Sequence, residues 1–557
     1  MSVRFCGDAP EGNGMTPLRS LAYTLHDGCR LLSSPDFTHD ELARRLRRRM
    51  ESVTDLGSLS QELEHSARGW SEKRQLAKAA PNILRSLNLD PNLEVLLVPG
   101  GYGAFARYLG EQCAKVDVVE PSYDRAATIH RRLTGLDNVE VFVGTVQDIR
   151  PEAGYDLVVL VGHPEDPEVP PGAGPIEEIV EVVTAMLRDH GVLLWMATNT
   201  LSVERLLKWP AHHVRAGASR SEMVSVLRNA GLEVRFYYAF PDVLNPRVVM
   251  SESLLSRSLG LSLAWRLPRF GDRRLAPAFY LWQSFVKEGL GCHFADAIVA
   301  VASVTQSTTT PQLWPKDVEA CFYTSFRRLM FTTKTLVKAQ DHGLRFERSR
   351  LAGTDPQAHL GPITLRVSDS EFIAGVDFVE FAATAHSDSL QEALLQWERL
   401  VRDAQNDEHT NIDLIPRNLV VREGGELAVI DEELYHRDYE PQHVLARGVL
   451  DLTLMLAMRA VSRPGVGRYR DMALGFGSVV GLDGAWLGQV IVREAELRAT
   501  MSGFDRGEAG WRRAVAEHKR IFKNDLNRKV PTGTALARSS SRQGIKRLVR
   551  AFRRRFL

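Results

Sequence analysis

The chain has 557 residues, 25% of them charged and 44% hydrophobic, with a formal net charge of +1. That balance belongs to a globular protein of more than one domain and excludes a low-complexity chain or a globally basic nucleic-acid binder, so no nucleic-acid partner is expected. The five cysteines, Cys6, Cys29, Cys113, Cys292 and Cys321, show no CxxC spacing, which excludes a zinc site or disulfide framework legible from sequence, and the lack of an apolar leader or a run of about eighteen apolar residues makes a cytoplasmic location the expectation.

Residues 1–74 read as a helical lead-in, in which THDELARRLRRRMESV places Leu42, Leu46 and Met50 on one face. From 75 to 250 short β-branched runs alternate with helical segments, the pattern of βαβ units and a parallel sheet. The predicted strands are 94–98, 116–120, 139–143, 155–161, 191–197 and 232–240, with helices near 104–113, 123–133, 176–188 and 220–230. Residues 251–320 are expected to form a helical bridge. Residues 321–530 read as an α+β domain with a hairpin around DHG, a helix over 388–405 and a second hairpin in NLVVREGGELAVID; residues 531–557 form a basic tail.

Two constellations carry chemistry. In EVLLVPGGYGAFARYL an apolar run is followed by Gly100, Gly101 and Gly103 and then by helical spacing, so the glycines fall at a strand-to-helix turn where a missing Cβ lets backbone approach a ligand. Glu120 ends the next strand, nineteen residues after Gly101, a position from which a carboxylate can take both hydroxyls of a ribose. The loop has neither GxxxxGK[ST] nor the full GxGxxG spacing, which points to a nucleoside rather than to a triphosphate or pyrophosphate. After the fourth strand, VGHPEDPE places His163, Glu165 and Asp166 at the carboxyl edge of the expected sheet; His163 is a candidate base, and a solvated loop histidine is the alternative.

The stretches EVLLVPGGYG, VDVVEPS, NVEVFVGTVQDI and YDLVVLVGH resemble, in kind and order, those of class I S-adenosylmethionine-dependent methyltransferases, over about 75–250. ARYLGEQ, NVEVFVG, YDLVVLVG and AGLEVRFYYAFPD resemble more narrowly a bacterial subgroup encoded among cell-surface glycan genes, in which the methyltransferase is fused to a further C-terminal region. The resemblance implies a doubly wound, Rossmann-like α/β domain, S-adenosylmethionine held at Gly100, Gly101, Gly103, Glu120, Thr145 and Val146, and O-methylation of a glycan or related small-molecule acceptor. Three positions depart from the family pattern: Leu97 stands for the acid before the first glycine, Pro99 for that glycine, and Thr145 for the acid that meets the adenine amine, with Asp148 close by. Proline also fixes φ and removes a donor. A degenerate domain kept as a scaffold therefore remains open.

The second constellation is NIDLIPRNLVVREGGELAVIDEEL, in which Asp413, Asn418 and Asp431 follow one another at spacings of five and thirteen. In phosphotransfer one aspartate takes the substrate hydroxyl proton while an asparagine and a second aspartate hold magnesium on the nucleotide. The stretch is similar to the catalytic loop of aminoglycoside-phosphotransferase-like kinases, which implies a kinase-like domain with ATP and Mg2+, Asp413 as base and Asn418 and Asp431 on the metal. The hairpin offers only Gly343, and Arg348 stands where a phosphate-binding lysine is expected, with Lys338 on the preceding strand; arginine's planar fork is a different shape from a point charge. An active kinase, a nucleotide-binding relic and a structural hairpin domain stay open.

In SRQGIKRLVRAFRRRFL, Ile545, Leu548, Val549, Phe552 and Phe556 share one helical face, with Lys546, Arg547, Arg550, Arg553, Arg554 and Arg555 elsewhere, the pattern of an interfacial helix drawn to anionic lipid. Peripheral attachment to the inner face of the plasma membrane is the expectation, with a solubilising tail or a docking helix as alternatives. Three readings emerge: a methyltransferase acting in surface glycan assembly, a phosphotransferase with the N-terminal domain as scaffold, and a non-catalytic assembly protein built from degenerate enzyme domains.

Overall fold

The computed structural model describes residues 3–4, 18, 23–26, 28–32, 39–149, 154–163, 174–208, 217–256, 275–304, 312–341, 343–404, 410–483, 485–502 and 507–531. The tail at 531–557, apart from its first residue, and both Glu165 and Asp166 lie outside the described residues. The chain divides into two compact units, one of residues 1–264 and 285–325, the other of 265–284 and 326–557.

In the first unit the strands are β1 (Val3–Arg4), β2 (Tyr23–His26), β3 (Cys29–Leu31), β4 (Glu94–Val98), β5 (Lys115–Glu120), β6 (Val139–Val143), β7 (Tyr155–Val161), β8 (Leu187–Thr198), β9 (Glu233–Phe240), β10 (Val248–Ser251), β11 (Ala297–Ser303) and β12 (Val318–Tyr323). Their spatial order is β1-β2-β3-β6-β5-β4-β7-β8-β11-β9-β10-β12. From β3 to β8 all neighbours are parallel, and β11 enters antiparallel between β8 and β9. The central strands carry apolar runs: Val95, Leu96 and Leu97 of β4 and Val158 and Val159 of β7 are fully buried, as strands covered on both faces require. This is a doubly wound α/β sheet. Its order reverses between β4 and β7, which is where ligands bind in such sheets, outside the carboxyl ends of the strands.

The expected bridge at 251–320 supplies β11 and β12 to this sheet. AIVAVAS is a seven-residue apolar run, and its pairing with β8 and β9 satisfies its backbone on both sides. The expected helical lead-in at 1–74 is α-helical only from Glu41 among the described residues, with α1 (Glu41–Glu51), α2 (Gln61–Ser66) and α3 (Gly69–Leu76), while its earlier part supplies β1, β2 and β3, the last of which adds parallel to the edge of the sheet at β6. Asp40 caps α1 by accepting from the Ala43 N–H, and Leu46, Met50, Leu63 and Leu76 form a small core that Leu42 and Tyr102 join. The remaining helices that frame the site are α4 (Ala104–Gln112), α5 (Tyr123–Arg132), α6 (Ile176–Ala185) and α7 (Arg220–Asn229).

The second unit is α+β. The hairpin of β13 (Thr333–Gln340) and β14 (Gly343–Arg350) is in register from Thr333↔Arg350 to Gln340↔Gly343, and β17 (Ser370–Glu371) pairs antiparallel with β14. Two small sheets follow: β15 (Gln357–Leu360), β16 (Ile363–Arg366), β22 (Leu434–His436) and β19 (Thr410–Asn411) in one, and β18 (Val376–Asp377), β20 (Leu419–Val421) and β21 (Leu427–Val429) in the other. The β20–β21 pair is the hairpin expected from NLVVREGGELAVID. Helices from Phe378–Thr384 onward, among them α8 (Pro441–Met458) and α9 (Trp486–Ser502), close a core around Trp397, Phe378 and Tyr469. No helix among the described residues is long and apolar enough to cross a membrane.

Candidate functional site

The glycine loop joins β4 to α4. Gly101 and Gly103 have φ of 60° and 85°, the left-handed region in which a side chain is strained. Gly100 is required for a different reason: a Cβ there would lie 2.5 Å from Val118 Cγ1 and 2.6 Å from Ile129 Cδ1, so the loop packs directly on β5 and α5. Space is open around Gly101, where an added Cβ meets nothing within 4 Å.

Glu120 sits beside this loop at 0% exposure. Its Oε2 accepts from the Gly101 N–H at 2.9 Å and its Oε1 from the Ser122 N–H at 3.1 Å. Burial pushes its carboxyl up to about 7, an effect that Arg125 and the two N–H groups only partly offset. The carboxylate expected to face a ribose is therefore directed into the loop's own backbone. Tyr102 ties the same loop to the lead-in: its hydroxyl donates to Asp40 Oδ2 at 2.9 Å, Arg125 Nε donates to that oxygen at 2.8 Å, and the Arg125 guanidinium lies 4.9 Å from the Tyr102 ring. Burial would raise the Asp40 carboxyl, but the Ala43 N–H, Arg125 and Tyr102 outweigh it and hold it low.

At the switch point lies a narrow pocket of about 30 Å³, room for roughly one water. Each of the first four strands of the winding contributes to its wall, through Pro99 after β4, Pro121 after β5, Thr145 and Val146 after β6, and Gly162 and His163 after β7. Ile176 and Ile179 of α6 complete it. The wall is almost wholly apolar because strand ends alternate with proline and β-branched residues. Thr145 is held by Asp148, whose Oδ2 accepts from its N–H at 2.7 Å and its hydroxyl at 3.0 Å, so the carboxylate that the sequence offers near this position serves the turn. His163 is 5% exposed, and its Nε2 lies 3.4 Å from Glu222 Oε1. Glu222 is itself placed by the start of α7, where its Oε2 accepts from the Ser219 N–H at 3.1 Å and the Ser219 hydroxyl accepts from the Glu222 N–H at 3.2 Å. Thr145, Val146 and His163 thus meet in one pocket. Gly100, Gly101, Gly103 and Glu120 form the adjoining loop without lining it.

The wall residues Pro121, Ile176 and Ile179 and the His163 partner Glu222 carry no chemical signature that singles them out in sequence. Ser219 to Glu222 does match the S-x-x-E capping box and so marks the start of α7.

In the second unit Asp413, Asn418 and Asp431 share a neighbourhood through backbone contacts. Asn418 Nδ2 donates to Asp413 O at 2.9 Å, and the Ile430 N–H donates to Asn418 O at 2.9 Å. Asp413 is buried; its Oδ2 accepts from the Leu434 N–H at 3.0 Å and its Oδ1 lies 3.5 Å from Arg447 Nη1. Burial raises its carboxyl despite Arg447 and Arg327. Asp431 is raised by burial and by Glu433 beside it. Arg348 reaches across from β14 with Nη2 3.7 Å from Asp431 Oδ1 and Nε 3.7 Å from Glu433 Oε1, while Lys338 pairs with Glu347 on the hairpin at 2.7 Å. Among the described residues no three His, Cys, Asp or Glu side chains gather to hold a metal.

Behind Asp413 runs a chain of buried ions that the sequence does not announce. Glu494 of α9 accepts from Arg447 Nε at 3.0 Å and from Arg498 Nε at 2.7 Å, and Asp451 of α8 pairs with Arg417. Burial alone would raise the Glu494 carboxyl, but Arg447 and Arg498 outweigh it and hold it at about 2.

No protein-family model and no curated protein matches this chain. Solved structures are similar over part of it. The complex between the Haloferax volcanii Trm112 methyltransferase activator and a methyltransferase matches at 13% identity and a TM-score of 0.30, covering 48% of this chain and 100% of that one. A SAM-dependent methyltransferase from Thermotoga maritima matches at 16% identity and a TM-score of 0.25, covering 39% and 84%, and the cyclase SpnF at 15% identity and a TM-score of 0.28, covering 47% and 92%. The doubly wound fold rests on the strand order and directions, and the reading of the site rests on its own residues.

Proposed function

We infer that the first unit binds S-adenosylmethionine and methylates a hydroxyl of a glycan or related small molecule. The observation that carries this reading is the pocket at the switch point, an apolar slot bounded by the ends of β4, β5, β6 and β7 with Glu120 beside it. Pro99, Pro121 and Val146 suit the flat face of a purine, and Glu120 would hold ribose hydroxyls by exchanging its bonds to the Gly101 and Ser122 N–H groups. At the nucleoside end the apolar lining and the Glu120 carboxylate are of the right chemical kind. At the methionine end Leu97 and Pro99 offer no carboxylate, so that end would be held by backbone alone. At about 30 Å³ the slot must widen to admit a nucleoside.

Bound S-adenosylmethionine would supply an electrophilic methyl carbon. His163 would take the proton of the acceptor hydroxyl as the oxygen attacks, and Glu222 at 3.4 Å would orient its ring. The glycan acceptor follows only from the resemblance of ARYLGEQ and AGLEVRFYYAFPD.

The test is calorimetric titration of the full chain with S-adenosylhomocysteine. Saturable binding is expected, weakened in Glu120→Ala and abolished in Val146→Trp, which fills the slot while leaving the Glu120 bonds in place. No binding at millimolar ligand sinks the reading.

A second reading has its own observation: Arg348 reaching from the β13–β14 hairpin to Asp431 and Glu433, beside Asn418 and Asp413. We infer from it a nucleotide site in the second unit, with Asp413 as base and Asn418 and Asp431 toward Mg2+. ATP with magnesium would then raise the melting temperature, and Asp431→Ala would abolish the rise. Silence to both ligands would leave the non-catalytic assembly protein. Peripheral membrane attachment predicts co-sedimentation with vesicles containing phosphatidylserine, lost on removal of 531–557.

A further inference from the structure

The nucleotide-site reading of the second unit turns Asp431 toward a divalent cation, and one atom bears on that fit. Asp431 Oδ1 is shielded from solvent and finds no hydrogen-bond donor among the described residues, and an orphaned carboxylate oxygen suits an ion. The side chain as a whole is 35% exposed, so ions can reach the group. A single carboxylate is enough for magnesium, which fills its other positions with water and phosphate oxygens.

The cation that faces this oxygen is Arg348, with Nη2 at 3.7 Å, too far for a hydrogen bond. Its Nε stands equally far from Glu433 Oε1. The hydrogen bonds of this guanidinium go to neutral oxygens: Nη1 donates to Ser370 Oγ at 2.8 Å and to Ser368 O at 3.1 Å, and Nη2 to Ile430 O at 3.3 Å. Neutral acceptors therefore hold it in place while it leans on two carboxylates by charge alone. Strand alternation sets this direction. Phe346 and Arg348 share a face with their β13 partners Val337 and Thr335; Val337 is fully buried, and the Arg348 side chain is 10% exposed. Lys338 and Arg345 are engaged on the opposite face by Glu347 and Asp369.

Charge around Asp431 is balanced with Arg348 in place. Asp413, Asp431 and Glu433 stand against Arg327, Arg348 and Arg447: Arg327 Nη1 donates to Glu433 Oε2 at 2.8 Å, and Arg447 Nη1 lies 3.5 Å from Asp413 Oδ1. Behind them Glu494 is shared by Arg447 and Arg498, and Glu432 accepts from Asn411 Nδ2. A divalent cation at Asp431 would meet the Arg348 guanidinium at close range, where like charges in a partly buried site repel strongly.

We propose, resting on the nucleotide-site reading, that Arg348 is a resident counter-cation closing the metal position of the second unit, and that metal binding at Asp431 requires its guanidinium to leave. The competing explanation is that Arg348 only ties β14 to β17 and to Ile430.

Mn2+ alone is the probe, titrated into the full chain at neutral pH and followed by the electron paramagnetic resonance signal of the free ion. The parent is expected to bind weakly. Arg348→Gln keeps an amide donor and removes the charge; it should tighten binding at least about tenfold, and Asp431→Asn in that background should abolish the gain. Ser370→Ala removes the 2.8 Å anchor, leaves every charge in place and should give a smaller gain in the same direction, a milder variant should Arg348→Gln fail to fold. A purely structural Arg348 would instead lower the melting temperature without tightening Mn2+. Unchanged or weaker Mn2+ binding in both variants, or a gain that survives Asp431→Asn, overturns the proposal. Stabilisation by ATP with magnesium is read in parallel. A parent that responds to ATP while neither variant gains Mn2+ affinity keeps the nucleotide reading and loses the latch; a Mn2+ gain with no response to ATP does the reverse.

Discussion

Glu120 in the first unit and Glu494 in the second are both buried where several elements meet, and the two are held in opposite ways. Glu120 is satisfied by two backbone N–H groups, and burial leaves its carboxyl at about 7. Glu494 is satisfied by Arg447 and Arg498, which overcome burial and hold it at about 2. The two N–H groups also favour the carboxylate, but only partly offset burial, so Glu120 can change its charge or its partner at modest cost. Two guanidinium groups tolerate only the carboxylate. The first arrangement belongs to a site that could exchange partners with a ligand, the second to a scaffold.

The largest expected break of this contrast is Glu494→Gln. It removes the carboxylate that Arg447 and Arg498 share, leaving Arg447 with its longer contact to Asp413 at 3.5 Å and Arg498 with its longer contact to Asp451 at 4.0 Å, and should destabilise the second unit by about 3 kcal/mol, read as lost hydrogen-exchange protection over α8 and α9 while the first unit keeps its own. Next comes pH. The folded Glu494 pKa of about 2 lies below its ordinary 4.5, so its contribution is present above pH 4.5 and fades as pH falls toward 2, by up to roughly 3 kcal/mol. For Glu120 the folded value of about 7 lies above 4.5, so its contribution is full below pH 4.5 and fades as pH rises through 7, with a similar ceiling of roughly 3 kcal/mol. Exchange protection followed from pH 7 to 4.5 should therefore rise around the glycine loop relative to α9; parallel behaviour of the two would break the comparison.

Gly100→Ala should cost about 1–3 kcal/mol through overpacking, because its Cβ would meet Val118 and Ile129; a denaturant midpoint unchanged from the parent would show that the loop floats instead of packing. The smallest effect belongs to Glu120→Gln, about 1 kcal/mol or less at pH 7, with its signature in the flattened pH dependence between 4.5 and 7 more than in the midpoint.

Local pattern carried much of the fold. The apolar runs of β4 through β8 and the glycine turn were readable because a strand buried on both faces has one composition, and the β20–β21 hairpin because REGGE has few other uses. AIVAVAS was as apolar as any of them, yet its place between β8 and β9 depends on a return from far along the chain, which no local period encodes. At the site, the ends of consecutive strands were legible as neighbours, which is why Thr145, Val146 and His163 converge. The direction of the Glu120 carboxylate was not, since two N–H groups presented by the folded loop decide it. Arg447 and Glu494 lie 47 residues apart, and nothing in either segment alone marks the other as its partner.

The bonds from Tyr102 and Arg125 to Asp40 bear on how this chain can be cut for experiment. A fragment begun at residue 75, where the alternating pattern starts, would keep all three glycines and lose the carboxylate that fastens the tyrosine between them, together with Leu46 and Met50 beneath it. Ligand silence in such a fragment would report the excision. Binding work on the first unit belongs to a chain that retains Asp40 and the helix it caps.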